Sequence, residues 1–278
     1  MIHRLEELDP AQLEARLETN PALVLALGTI EWHSRHLPLG LDLLKAQALA
    51  ERTAEQADAV LAPAAWWAAG GVPQPYTLRL PSSLTEPVLA AVLDSFAGMG
   101  FRAICLLNGH YGLENSLAVR RAALACTDAT VVPLADYELL TDLGATGDHA
   151  GVFETALLLP VRPDLVQLEL EGELPGVVGD DPRGRATREL GDEALELAAS
   201  RAADALQRAL HTTRERFAEA LTAAVSALEA LWQLRQDRPS DHPPVVTPAW
   251  IRHLEAFRDG DWERAKEAAE AKLADPAA

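Results

Sequence analysis

The chain has 278 residues, 49% of them hydrophobic, which is enough for one large α/β domain or for one domain with an appendage. With 42 acidic against 24 basic residues its net charge is −18, which argues against nucleic-acid binding and against docking on anionic membranes. No signal peptide or bilayer-spanning run is recognisable, so we expect a cytoplasmic protein, with Cys105 and Cys126 as thiols rather than a disulfide.

The first part of the chain alternates predicted strands and helices. Asp9 and Pro10 resemble the N-cap and first residue of a short helix that runs through Leu17. Continuous apolar runs typical of buried strands occupy residues 22–30, 59–67, 101–110 and 129–137. Helices are predicted over residues 43–57, 85–99 (capped by Thr85), 113–126 and 151–160. This alternation predicts a mostly parallel sheet covered by helices on both faces.

The character of the sequence changes after about residue 187. Residues 187–210 and 214–236 carry long helical patterns, with apolar residues at three- and four-residue spacing. The proline-rich residues 238–248 are predicted to be a linker, and residues 249–273 to be two short helices around an Asp259-Gly260 turn.

Polar residues follow two of the predicted strands. Glu31 and His33 are two positions apart, so in an extended segment both side chains point to the same side. A Pro-Leu-Gly stretch could fold Asp42 back toward them, and His110 follows another strand. Because ligands of open α/β sheets bind beyond the carboxyl ends of the strands, these residues form a candidate site.

His149 and Glu154 stand at the start of a helical stretch. A spacing of five does not place both on one helix face, so we expect His149 just before the first turn and Glu154 on the helix proper. Carboxylates with imidazoles suit Zn²⁺, Mn²⁺ or Fe²⁺ better than Ca²⁺. The alternative is that these are ordinary helix caps and hydrogen-bonded histidines, but their convergence at successive strand ends favours a site. The histidines without this context, which we interpret as surface residues, are His3, His211, His242 and His253.

Four segments resemble motifs of the creatininase (creatinine amidohydrolase) family, in the family's order over residues 25–195. They are GTIEWHSRHLPLGLD, GFRAICLLNGHYG, DHAGVFETALLL and GVVGDDPRGRATRELGDEAL. The resemblance implies a three-layer αβα sandwich and a metal-dependent amidohydrolase of small cyclic or linear amides, commonly a homohexamer. It also implies two divalent metal ions per chain, which the residue types predict to be Zn²⁺ and/or Mn²⁺, with Fe²⁺ as the alternative. Residues 1–210 would form this hydrolase domain, and residues 211–278 a helical C-terminal extension and candidate assembly element.

The resemblance also implies roles for individual residues. Metal-ligand positions fall on Glu31, His33, Asp42 and His110, with Asp42 as the bridge. Glu154 would complete the coordination as a ligand and catalytic residue, with Glu114 as the alternative, and His149 would handle protons. Tyr111 falls where creatinine-cleaving members have a substrate-contacting Tyr. Apart from the resemblance, His36 is a candidate to contact substrate or to orient a ligand, and Trp66 to line the substrate site or to pack in the core.

Two further interpretations bear on the activity. Ala145 stands where creatinine-cleaving members carry Trp, four positions before the catalytic His, which argues against creatinine as the substrate. The rival hypothesis is a non-catalytic or regulatory relative that has lost one metal site.

Overall fold

The computed structural model describes residues 2–237 and 243–276. Its centre is a sheet of five parallel strands in the order β1-β3-β2-β4-β5. The strands are β1 His3–Arg4, β2 Ala22–Leu27, β3 Val60–Leu61, β4 Ala103–Asn108 and β5 Thr130–Ala135. The predicted mostly parallel sheet is therefore confirmed.

The three long strands are buried along their whole length, as their unbroken apolar sequences require. Leu27 pairs with Asn108, which in turn pairs with Ala135. Because these last residues are in register, the segments that follow the strands leave the sheet at one edge. This edge carries the candidate site.

Helices cover both faces of the sheet, so the three-layer αβα architecture is confirmed. Helices α2, α5 and α6 pack on one another, whereas α3 packs on α4 and α4 on α7. The bounds are α1 Pro10–Thr19, α2 Leu41–Gln56, α3 Ser82–Gly98, α4 Leu113–Ala125, α5 Val152–Leu158, α6 Arg188–His211, α7 Arg214–Asp237, α8 Pro248–Asp259 and α9 Trp262–Ala274. No helix within the described ranges has the length and apolarity needed to cross a membrane.

Several predicted boundaries differ from the observed ones, among them those of one strand and one helix. The strand predicted over residues 59–67 pairs only at Val60–Leu61, apart from a single bridge at Ala65. Helix α3 begins at Ser82 rather than after Thr85, because the extended backbone of Pro81 serves as its N-cap and Thr85 lies buried within the helix.

The C-terminal helices share the apolar core of the sheet domain. α7 packs on α9 and α4, and α8 packs on α9 and on the 3-10 turn Tyr137–Leu139. His253 of α8 is 1% exposed and donates from Nδ1 to the Ala265 carbonyl at 2.8 Å. Its assignment to the surface is therefore wrong, because α8 turns this face toward α9.

Other expectations have mixed outcomes. His211 is exposed and His3 partly so, whereas His242 and residues 238–241 of the predicted linker lie outside the described residues. Cys105 and Cys126 are buried free thiols, as predicted.

Candidate metal centre

The first turn of α2 lies against the carboxyl ends of β2 and β4. A Cβ atom at Gly109 would lie 2.1 Å from the Asp42 carbonyl oxygen, and one at Gly28 would lie 2.4 Å from the Leu43 Cα. Each strand is thus followed directly by a glycine that admits the helix backbone. This close approach brings Asp42, in the first turn of α2, next to residues that follow the strands.

Five buried side chains form two overlapping groups of possible metal ligands. One group is Glu31, Asp42 and His110, and the other is His33, Asp42 and Glu154. Within each group the ligand atoms lie within 4.8 Å of one another. Asp42 belongs to both groups and is 1% exposed. Segments far apart in sequence, including the helix glutamate Glu154, therefore meet at one place.

The two histidines of these groups approach different oxygens of Asp42. His110 Nδ1 lies 3.2 Å from Asp42 Oδ2 and 3.1 Å from Glu31 Oε2. His33 Nε2 lies 3.1 Å from Asp42 Oδ1 and 3.6 Å from Glu154 Oε2. One carboxylate thus faces two separate nitrogen donors, one on each oxygen.

Several polar atoms of the cluster lack a hydrogen-bond partner among the described residues. They are His33 Nε2, His110 Nε2 and both carboxylate oxygens of Asp42. The opposite ring nitrogen of His33, Nδ1, contacts the Glu31 carbonyl oxygen at 3.0 Å. A carbonyl can only accept, so Nδ1 carries the proton and neutral His33 offers a lone pair at Nε2. Unpartnered buried carboxylate oxygens beside an imidazole lone pair fit a divalent cation.

The charges of the cluster shift the pKa values of its histidines. Burial lowers the pKa of His110, but its contacts with Asp42 and Glu31 outweigh burial and raise the pKa to about 10. Burial likewise opposes protonation of His33, yet Asp42 and Glu154 raise its pKa to about 9. The same negative field that favours an imidazolium favours a metal cation, so cations compete with protons for this cluster.

His149 lies at the rim of the cluster. Its Nε2 contacts the Trp32 carbonyl oxygen at 2.9 Å and therefore carries the proton in the neutral ring. Nδ1 faces Glu31 Oε2 at 4.0 Å, and the side chain is 17% exposed. His149 also forms a third candidate ligand group with Glu31 and His33. The free nitrogen can therefore accept a proton or bind a metal.

Lys45 is a functional candidate that sequence reasoning missed. Its buried ammonium lies 2.8 Å from Glu154 Oε1 and 3.0 Å from Asp136 Oδ2. Burial opposes its charge, but the two carboxylates outweigh burial and raise its pKa. The available signal was its position three residues after Asp42 on α2, which places the two side chains on neighbouring positions of one helix face.

The hydroxyl of Tyr111 belongs to the Lys45 network. It accepts a hydrogen bond from Lys45 and donates one to Asp136. Burial and the Asp136 charge raise the Tyr111 pKa well above its ordinary value. The residue lines the cavity above the cluster, so it stays a candidate substrate contact through its ring.

His36 and Trp66 are not placed as the substrate-contact prediction requires. His36 is fully buried, contacts Thr155 Oγ1 at 3.1 Å through Nε2, and does not line the cavity. It adjoins Glu154 through Thr155, as the alternative role in orienting a ligand requires. Trp66 is 52% exposed and also lies outside the cavity lining, because the strand that was to hold it ends at Leu61.

Glu114 lines the cavity but is not part of the ligand groups. Its Oε1 accepts a hydrogen bond from the Ser82 backbone at 2.8 Å, at the start of α3. Glu154 Oε2 instead accepts from the Ala150 backbone at 2.7 Å and faces His33. Of the two alternatives for the last ligand, the structure brings Glu154 to the cluster.

Backbone strain flanks two of the histidines. Ser34, after His33, has φ of 59°, and Ala150, after His149, has φ of 54°. Non-glycine residues rarely adopt this left-handed conformation, and where they do they are often found at functional sites.

A cavity of about 530 Å³ opens above the cluster. Glu31, Asp42 and His110 lie at its base, with Asp148 and His149 beside them. Burial and the Glu154 charge raise the pKa of Asp148 to about 7. This volume accommodates a small organic molecule next to the candidate ligands.

Sequence comparisons identify similar proteins. The profile of the creatinine amidohydrolase (creatininase) family matches residues 6–206. Creatinine amidohydrolase from Pseudomonas putida is 31% identical over 192 residues, covering 59% of this chain and 73% of that protein. Mycofactocin precursor peptide peptidase from Mycolicibacterium smegmatis is 33% identical over 154 residues, covering 52% of this chain and 59% of that protein.

Comparison with solved structures shows the same fold. A crystal structure of creatinine amidohydrolase (creatininase) superposes with a TM-score of 0.63 at 25% identity, covering 76% of this chain and 98% of that chain. A structure described as creatininase Mn has a TM-score of 0.65 at 24% identity, covering 75% and 98%. A mutant creatininase of Zn-Zn type has a TM-score of 0.62 at 25% identity, covering 75% and 98%.

Proposed function

Because the chain belongs to the creatininase family, we propose that it is a metal-dependent amidohydrolase that cleaves a C–N bond of a small cyclic or linear amide. The observation that carries this proposal is that Asp42 belongs to two separate groups of possible metal ligands. A carboxylate that belongs to both groups can hold two neighbouring cations at once.

Two divalent cations, Zn²⁺ or Mn²⁺, would be held by the two groups defined above. Glu31 and His110 would hold one, His33 and Glu154 the other, with Asp42 shared. When bound, such a pair polarises an amide carbonyl and lowers the pKa of water toward neutrality. The donor set of three carboxylates and two imidazoles matches the preferences of these metals.

The protein's own groups supply positioning and proton transfer. The Trp32 carbonyl fixes the orientation of the His149 ring, so that its free Nδ1 points into the cluster. In this position His149 can take up a proton and pass it to the departing amine nitrogen. Lys45 holds Oε1 of Glu154, which leaves Oε2 directed toward His33.

One residue restricts the range of possible substrates. Ala145 is 1% exposed and small where creatinine-cleaving members, as the sequence resemblance implies, carry Trp. We therefore propose an amide other than creatinine.

The proposal is tested by measuring the metal content per chain and the hydrolysis of a set of small amides. The purified chain, loaded with Mn²⁺ or Zn²⁺, is expected to hold two equivalents and to release amine from at least one short cyclic, formyl or peptidyl amide. The Asp42→Ala variant serves as the inactive control. Zero or one equivalent with no hydrolysis would instead favour the rival, a non-catalytic relative that has lost one metal site.

We also propose that the chain is a homo-oligomer, as the family resemblance implies, with residues 211–278 as an assembly element. Light scattering of the full chain after size-exclusion chromatography tests this, and a monomeric mass would contradict it.

A further inference from the structure

Part of the cavity wall comes from outside the region that matches the family. The match ends at residue 206, whereas α7 begins at Arg214. Trp232 and Arg235 of α7, together with Val245, nevertheless line the cavity above the metal centre. The C-terminal helices therefore shape the space that a substrate would occupy.

This wall is held in place by hydrogen bonds to the segment that carries Val245. Arg235 donates to the Pro243 carbonyl from Nε at 3.1 Å and from Nη2 at 2.6 Å. Lys272 of α9 donates to the Pro244 carbonyl at 3.3 Å. Since α7 packs on both α9 and α4, the wall is tied to the core of the sheet domain.

Arg235 keeps donors that no group of the described residues uses. It is half-buried, and no carboxylate of residues 2–237 or 243–276 lies within ion-pair distance of its guanidinium. Its bonds to Pro243 engage Nε and Nη2, and no acceptor of the described residues is bonded to Nη1, whose donors can therefore serve a ligand. Arg79, which lines the same cavity, likewise has no ion pair within the described ranges.

A guanidinium at a cavity wall that has no ion pair within the described ranges favours an anionic ligand, because a partly desolvated cation gains most from a charged acceptor. The carboxylates of Asp148 and Glu114, which line the same cavity and are not proposed as metal ligands, repel a phosphate dianion more strongly than a carboxylate monoanion. Val245, Val178 and Trp232 offer apolar surface for the remainder of the molecule.

We propose that Arg235 determines specificity by binding a carboxylate on the substrate, so that the chain acts on amides that carry an acidic group. This inference rests on the proposed hydrolase function for the amide part, but the anion site itself depends only on the cavity wall. The carboxylate is bound at the α7 side, while the amide lies over the cluster of Glu31, Asp42 and His110.

Calorimetric titration with a matched pair of probes tests the proposal on the metal-loaded full chain. N-acetyl-L-alanine and N-acetyl-L-alaninamide have nearly the same shape and differ by one negative charge. The wild type is expected to bind the acid about ten-fold to a hundred-fold more tightly than the amide, as one charge-assisted contact provides. Arg235→Gln is expected to abolish this preference, and Arg235→Lys to retain part of it.

The control variant Arg216→Gln removes the same charge from an exposed site on α7, about 28 Å away along the helix axis. It is expected to keep the wild-type preference. A wild type without preference overturns the proposal. An equal loss of affinity for both probes in Arg235→Gln also overturns the proposal, because it would show that Arg235 has only a structural role. A preference that survives in Arg235→Gln overturns it as well, because the carboxylate is then bound elsewhere.

Metal content measured on the same samples separates this proposal from the proposed function. Fewer than two equivalents, together with a preference that Arg235→Gln abolishes, would contradict the hydrolase and leave the anion site standing. Two equivalents with hydrolysis of neutral amides, and no preference for the acid, would leave the hydrolase standing and contradict the anion site.

Discussion

The ammonium nitrogen of Lys45 lies 2.8 Å from Oε1 of Glu154, and both side chains are almost wholly buried. Asp136 lies on the other side of the ammonium at 3.0 Å. A single buried cation thus balances the negative charges of two side chains, a glutamate of the candidate metal centre and the neighbouring Asp136. This contact links the packing of α2 to the orientation of a metal-ligand candidate.

Replacing this cation is expected to destabilise the protein. Lys45→Met leaves two buried carboxylates without the cation that balances their charge, so the free energy of unfolding should fall by about 3–5 kcal/mol in urea denaturation. Lys266→Met is the matched control, because Lys266 also lies 2.8 Å from a carboxylate, that of Glu219, but its side chain is 32% exposed. The control should lose less than about 1 kcal/mol. Similar losses in the two variants would contradict a structural role for the buried pair.

Removing Asp42 is expected to abolish metal binding and activity. Both ligand groups contain Asp42, so Asp42→Ala takes a donor from each. Plasma mass spectrometry should find the metal content per chain falling from two equivalents to below one. Asp204→Ala, an exposed substitution on α6, serves as control. Unchanged stoichiometry in Asp42→Ala would exclude the bridging role.

His149→Ala is expected to keep the metals and lose turnover. The five proposed ligands remain, but the imidazole beside Glu31 is gone. The kcat on the best of the set of small amides should fall by about 10²–10⁴-fold, the range for general acid–base catalysis. Loss of one metal equivalent would show instead that His149 is a ligand, and unchanged kcat would remove it from the mechanism.

Gly109→Ala is expected to disturb the site through the backbone. The added Cβ would lie 2.1 Å from the Asp42 carbonyl oxygen, so α2 must shift. Overpacking of this kind costs about 1–3 kcal/mol, and metal affinity should fall with it. In Gly98→Ala the new Cβ meets nothing within 4 Å, and it should instead stabilise the protein by about 0.5–1 kcal/mol. Equal thermal stability and metal content in Gly109→Ala and wild type would show that the close approach is not needed.

Stability is expected to fall in mild acid because of His253. Burial lowers its pKa from 6.5 to about 4, so the unfolded chain binds more protons than the folded chain between these pH values. The contribution of His253 to the free energy of unfolding is therefore complete above pH 6.5. It decreases as the pH falls toward 4, by about 3 kcal/mol in total.

Urea denaturation at several pH values tests this contribution. His253→Gln should lose less stability than the wild type between pH 6.5 and 4, whereas His211→Gln, an exposed control, should follow the wild type. Parallel pH profiles for wild type and His253→Gln would show that His253 does not titrate in this range.

The parallel sheet and the ligand positions could be predicted from the sequence for specific reasons. The strands β2, β4 and β5 are unbroken apolar runs, which only a sheet covered on both faces can bury. Glu31 and His110 follow such runs, and parallel strands bring their carboxyl ends to one edge. The local sequence pattern was sufficient because these candidate metal ligands follow directly after the ends of regular strands.

Other features depend on contacts between distant segments, which no local pattern encodes. Trp66 follows a strand that pairs over only two residues, and His36 is buried against Thr155 rather than open to the cavity. His253 is buried because α9 covers its face of α8, and Arg235 reaches the cavity only because α7 packs on α4 and α9. The sequence by itself determined the sheet and the residue types that can bind a metal, because periodicity and strand ends are local properties. Only the tertiary structure decided that Lys45 compensates Glu154 and that Arg235 faces the cavity, since charge pairing across helices is set by their packing.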